Sequence, residues 1–232
     1  SLSTGVSQRH LSFLESGRAQ PSRDMILKIS DALDVPLRDR NDWLLAAGFA
    51  PLFHSRPLDH PQMSQVMAAV RLILNNHEPY PAVAIDRAWN LRLANAPFER
   101  LAATFPAASP EPNLLRLFFH PQGIRPYVAN WSGIAPLLWC RAHREAASSP
   151  GSDRRQILDE LTPHAPSESD HNPDTALLPV LPFTLQRDGI QLSLFSVIAT
   201  FGTAQDITAD ELRLETFFPA DDLTRDFFHR PP

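Results

Sequence analysis

The chain has 232 residues, 43% of them hydrophobic, and a formal net charge of −5 at pH 7. That length fits one large domain or two smaller ones, and no run approaches the roughly 20 consecutive apolar residues of a membrane span. A single cysteine, Cys140, excludes an internal disulfide and a zinc knuckle, and no charged-then-apolar leader opens the chain, so a cytoplasmic protein with no membrane partner is expected.

The chain opens without methionine, in what reads as the latter part of a helix, and is expected to continue a longer sequence upstream. Residues 7–16 read as the first complete helix, with Ser7 as N-cap, Leu11 and Leu14 on one face, and Gly17 as its stop. A second helix is expected over 22–34, where Met25, Ile26, Ile29 and Leu33 form a helical stripe ended by Val35-Pro36. A third begins at Pro36 and ends at Gly48. The Pro-rich stretch 51–62 has neither helical nor strand period and reads as a short linker.

Beyond it, 63–75 predicts an amphipathic helix. The period then shifts to two: a strand over 82–85, a turn at Asp86-Arg87, a strand through Trp89, Leu91 and Leu93, and a helix over 96–103 capped by Asn95. Loops are expected at 106–112 and 163–174, with helices over 114–119, 131–147 and 153–161. Strands return over 180–186, an Asp188-Gly189 turn, 190–201 and 212–218. The fold class is therefore α+β: an all-α N-terminal domain, truncated at its start, then an antiparallel sheet domain with flanking helices.

The first complete helix can meet DNA in two ways. Gln8, Arg9 and Ser12 lie opposite the apolar stripe; Gln and Arg form bidentate contacts with adenine and guanine in the major groove, and Phe13 can meet a thymine methyl. Ser7 completes this face, while Arg18 and Arg23 suit phosphate contacts that position without reading sequence. The same residue types also make an ordinary solvated helix face. Residues 6–22 follow the pattern Val-Ser-x-x-x-Leu-Ser-x-Leu-Glu-x-Gly-x-x-x-Pro-Ser. This resembles the XRE family of helix-turn-helix regulators, with Gly5 as the turn and the family's first helix and most of its second missing. The resemblance implies a double-stranded DNA operator and, because paired half-sites need paired readers, a homodimer.

The segments HEPYPAVAIDRAWNLRLAN, NLLRLFFHPQGIRPYVANW and SLFSVIATFGTAQDITADELRLETFFPAD resemble the MmyB-like ligand-binding domain found behind such a helix-turn-helix. The resemblance implies a helix-turn-helix domain over 1–56 and a PAS-like ligand-binding domain over 57–232, holding a small apolar ligand, a fatty acid by class, with no other cofactor. Polar candidates for the head of such a ligand are Asn113, Arg116, His120, Arg125 and Asn130. Each also has a plain structural use, Asn113 and Asn130 as helix caps, Arg116 as a surface arginine and His120 as a helix terminator. Phe119, Trp131, Phe195 and Phe201, with Phe118 and Trp139, are either pocket wall or core.

Catalytic and metal sites are not expected. There is no Gly-x-Ser-x-Gly elbow, Gly-rich phosphate loop or His-Glu-x-x-His pair, and His54, His60, His164 and His171 sit in Pro-rich loops without ligand spacing. Asp210-Glu211 and Asp221-Asp222 read as helix starts or solvated turns. The alternative to a ligand-responsive regulator is a constitutive repressor whose PAS-like domain serves only for dimerisation.

Overall fold

The computed structural model describes residues 8–108, 112–147, 153–167 and 179–230. The chain divides into two compact units, Ser1–Ser64 with Phe201–Glu211, and Gln65–Thr200 with Leu212–Pro232.

In the first unit three short helices follow one another: α1 (Gln8–Glu15), α2 (Arg23–Ala32) and α3 (Leu37–Ala46). All three end in the same way. After α1 the Arg18 N–H reaches the Phe13 carbonyl at 2.8 Å and the Gly17 N–H reaches Leu14 at 3.0 Å, and Gly17 takes φ +68°. Gly48 repeats the motif after α3 at φ +83°, and Asp34 after α2 at φ +50°. These Schellman turns satisfy carbonyls that a short helix would otherwise leave open, and a left-handed residue is what they require. Ser22 caps α2 by accepting the Met25 N–H at 3.3 Å.

Residues 51–62 are not a free spacer. Asn41, buried on α3, accepts the Leu52 and Phe53 N–H groups at 2.9 and 3.0 Å and donates to the Phe53 carbonyl at 2.8 Å. A chain pinned by its own backbone groups needs no secondary structure to be fixed, and hydropathy period cannot reveal it. The unit is completed by a segment from far along the chain that ends in the short helix α9 (Ile207–Glu211). Arg56 Nη1 meets Asp206 Oδ2 at 2.8 Å, and the Ile207 N–H reaches the His54 carbonyl at 2.8 Å. Arg38 forms a bidentate pair with Glu211 at 2.6 and 2.8 Å. Pro36 gives α3 no side-chain cap; Asp210 Oδ2 takes the Leu37 N–H instead, at 3.1 Å, capping the helix from outside it. Asp210-Glu211 is thus neither a helix start nor a solvated turn but a joint.

The second unit begins with α4 (Ser64–Asn76) and holds a five-stranded antiparallel sheet in the order β2-β1-β5-β4-β3. The strands are β1 (Ala82–Ile85), β2 (Leu91–Ala94), β3 (Phe183–Arg187), β4 (Ile190–Thr200) and β5 (Arg213–Pro219). Asp188-Gly189 closes β3 to β4 with φ of +49° and +81°, the two left-handed residues of a type I′ hairpin. Register puts Val83 opposite Glu215, Ser196 opposite Phe217 and Leu192 opposite Leu185, so these side chains share one face of the sheet. Over it lie α5 (Ala96–Thr104), α6 (Leu114–Phe119) and α7 (Trp131–Ala147), with α8 (Asp153–Leu161) behind. Asn95 caps α5 through the Phe98 N–H and also donates to the Leu74 carbonyl at 3.1 Å, fastening the end of α4 to the hairpin. The last helix, α10 (Asp222–His229), starts at Asp221, whose carboxylate takes the Thr224 N–H at 2.7 Å.

Candidate functional site

The described residues expected to face DNA all belong to the helical unit. Gln8, Arg9 and Ser12 are exposed on α1, Phe13 is half-buried under the Arg9 guanidinium at 5.6 Å, and Arg18 and Arg23 are exposed on either side of the following turn. Ser7 and Gly5 lie outside the described residues.

In the second unit α5, α6 and α7 do not pack flat on the sheet, and a cavity of about 520 Å³ lies between them. Sites for small organic ligands run from about 300 to 1,000 Å³. Phe98, Leu101, Phe105, Phe118, Ile134 and Leu138 form its helical wall, and Phe183, Leu185 and Phe217 its sheet wall. The start of α6 is tied to the β1–β2 hairpin by three bonds. Leu91 N–H reaches the Pro112 carbonyl at 2.6 Å, Leu114 N–H reaches Trp89 at 2.9 Å, and Asn113 Nδ2 reaches Ala88 at 2.7 Å. Trp89 sits at φ +66°, rare for a bulky side chain, and it too lines the cavity. Gly123 folds the chain back beneath α6, where a Cβ would collide with the Leu117 carbonyl, and delivers Ile124 to the cavity wall.

The sequence candidates separate in this geometry. Asn113, Phe119 and Phe195 line the cavity. Asn113 is nevertheless fully engaged, accepting the Leu115 and Arg116 N–H groups and donating to Ala88 and Asn90, and the Phe195 ring stacks on Phe218 at 5.6 Å. Arg116, His120, Arg125 and Trp131 are not among the lining residues. Arg116 is paired with Glu160 and holds its carboxyl below the ordinary range. The His120 ring takes the Gln122 N–H and packs against His164. Arg125 lies 4.4 Å over the Trp131 ring and bonds the His164 carbonyl. Trp131 stacks on Phe118 at 5.2 Å, and its buried indole N–H has no acceptor among the described residues. Asn130 ties α7 to β3 through the Thr184 N–H and the Pro182 carbonyl. Phe201 belongs to the helical unit.

What the sequence reading missed is a second polar group on the wall: Arg141, Ser196 and Glu215. On α7, Arg141 and Glu145 are one turn apart; on β5, Arg213 and Glu215 share a face, and the two pairs meet with their charges crossed. Arg141 Nε bonds Glu145 Oε1 at 3.0 Å, and Arg213 Nη1 bonds Glu145 Oε2 at 2.6 Å. Burial would raise the Glu145 carboxyl, but Arg213 and then Arg141 outweigh it and hold it below its ordinary range. Glu215 is pushed up by burial, against the hydrogen bond from Ser196 and the charge of Arg141. The spacings were visible, since i,i+4 on a helix and i,i+2 on a strand match in length, yet nothing in either segment names the other as its partner.

An exposed polar helix face in one unit and an apolar cavity with a polar corner in the other suit a DNA-binding transcription regulator with a ligand-binding domain. The comparisons agree: residues 1–39 match the Helix-turn-helix family, and residues 66–230 match the MmyB-like transcription regulator ligand binding domain. The second match covers most of the chain, which belongs to that family. No curated protein matches the chain. Among the described residues no helix is long and apolar enough to cross a membrane, and no cluster of His, Cys, Asp and Glu could hold a metal ion.

Proposed function

We propose that this protein is a cytoplasmic, homodimeric regulator whose operator affinity is set by an apolar small molecule, a fatty acid by class, bound in the sheet domain. The cavity of about 520 Å³ carries this reading. A domain that served only to dimerise would gain from filling it, because unfilled apolar volume forfeits dispersion contacts. Gln8, Arg9, Ser12 and Phe13 read base edges, and Arg18 and Arg23 hold phosphates. The effector shifts the balance between two arrangements of the paired reading helices, a coupling typically of about 1 to 3 kcal/mol.

The test is mass spectrometry of an organic extract of the purified protein, followed by operator titrations with and without added fatty acid. A stoichiometric lipid whose removal or addition moves operator affinity by about fivefold or more supports the reading. An empty protein whose melting temperature and operator affinity ignore every added fatty acid leaves the constitutive repressor.

A further inference from the structure

The chain passes between its two units at three places, after Ser64, after Thr200 and after Glu211. The three differ in what each side holds. At the first, α4 leads into the sheet unit, but none of its residues lines the cavity. At the second, β4 lines the cavity through Phe195 and Ser196, yet the chain leaves it by Gly202 and Thr203, which are exposed. The third crossing has no such free stretch. Asp210 takes the Leu37 N–H at 3.1 Å, and Glu211 holds Arg38, the next residue of α3, at 2.6 and 2.8 Å. Leu212 and Leu214 are buried, Arg213 bonds Glu145 on α7 at 2.6 Å, and Glu215 and Phe217 line the cavity.

We propose that residues 210–215 are the route by which the cavity's occupant acts on the helical unit, with Asp210 and Glu211 as positioning residues that act through α3. This rests on the reading of the cavity as an effector site. α9 is pinned at its start, where Asp206 accepts from Arg56 and from the Thr208 N–H and the Ile207 N–H reaches His54. A displacement of β5 is therefore taken up at Asp210 and Glu211 and not ahead of them. α3 responds because it has no cap of its own, Pro36 supplying none. The two states are a capped and an uncapped start of α3, and a side-chain cap favours the helix about fivefold. That lies at the lower end of coupling between sites, about 5- to 150-fold. α3 packs on α2, which follows α1 in the chain, so a change at Leu37 bears on the helices that precede it. Coupling needs an element whose two states both sites bias, and the cap is such an element.

The experiment measures operator affinity of the full chain with and without saturating dodecanoic or hexadecanoic acid, on duplexes that the protein selects from a random-sequence pool, and takes the ratio. A residue that only stabilises the helical unit changes both affinities by one factor and leaves the ratio alone. The unaltered protein is expected to give a ratio of about fivefold or more. Asp210→Ala brings it within about twofold, and Asp210→Asn, which keeps an acceptor for the Leu37 N–H, restores it. Arg38→Met removes a partly exposed pair, leaves the unit folded and gives an intermediate ratio, so it decides the matter if Asp210→Ala binds no operator. Acid affinity without DNA stays the same in all three. Gly-Ser inserted after Gly202 keeps the full ratio, because a surface loop tolerates the added length and that crossing lies off the route. A ratio unchanged in Arg38→Met, or in an Asp210→Ala protein that still binds operator, or a ratio lost on the insertion, overturns the route while the effector site stands. An unaltered protein that binds neither acid, or whose ratio is one, overturns the effector reading itself.

Discussion

Within 8–64 the described residues bury only Ile26, Leu37, Leu44 and Met63 among hydrophobics, and Ile207 and Ala209 join them from the β4–β5 connection. The sheet unit instead gathers a continuous cluster from Val83 to Phe228 and still leaves about 520 Å³ open. The helical unit, short of apolar surface, is fixed by polar groups of exact partner and direction: Asn41 on the backbone of 52–53, Asp206 on Arg56, Asp210 on the N-terminus of α3. A small core has no contacts to spare, whereas a large one tolerates a void, and a void is what a sensor needs.

The largest test of this contrast is in the cores. Leu44→Ala, at a site with no exposure, is expected to cost about 2–5 kcal/mol, abolishing operator binding while fatty-acid binding in the sheet unit persists. Leu138→Ala, on the cavity wall, is expected to cost about 1.5 kcal/mol or less, because it enlarges space that already exists. Denaturant melts followed by both readouts separate the two.

Next comes the joint. Asp206→Ala leaves Arg56 and the Thr208 N–H without their acceptor and is expected to cost the helical unit about 2 kcal/mol. Adding Arg56→Ala should cost little more, which a double-mutant cycle reads as coupling.

The third effect depends on pH. The Glu215 carboxyl titrates above its unfolded range, so its contribution is complete below the unfolded titration and is lost as pH rises towards the folded one. Glu215→Gln does not ionise; it is expected to gain stability over the unaltered protein across that rise, by at most about 1.4 kcal/mol per pH unit, in melts taken from acid to alkaline. Identical pH profiles for the two proteins would show that Glu215 is not held protonated.

The smallest effect on stability is at the DNA face. Arg18→Ala or Arg23→Ala should leave melting unchanged and reduce the slope of log affinity against log salt by about one each. Gln8→Ala should instead weaken discrimination among operator sequences, by about 1–3 kcal/mol at the base it reads.

Much of the fold was legible because its signals are local. Gly17, Gly48 and Asp188-Gly189 mark left-handed turns, Ser22 and Asn95 cap helices, and the shift from a helical period to a period of two at 82 marks the sheet. The joint and the cavity corner were not, because their partners are distant in sequence: Leu37 meets Asp210, and Glu145 meets Arg213. Arg116, His120 and Arg125 had the chemistry of a ligand's head group, but each meets a residue about forty positions on, Glu160 for Arg116 and His164 for the other two, that the sequence does not place beside it.

By itself, then, the sequence determined the helices, the hairpins, the exposed polar face of α1 and the split between a helical and a sheet domain, since each is set by propensity, period and capping over a few residues. Only the tertiary structure decided that residues 201–211 belong with the helices, and that the apolar side chains leave a cavity instead of closing a core. A wall and a core are built from the same residues. What distinguishes them is where the helices lie over the sheet, and the starts of α6 and α7 are anchored by bonds to segments that sequence order keeps apart, Leu114 to Trp89 and Asn130 to Thr184.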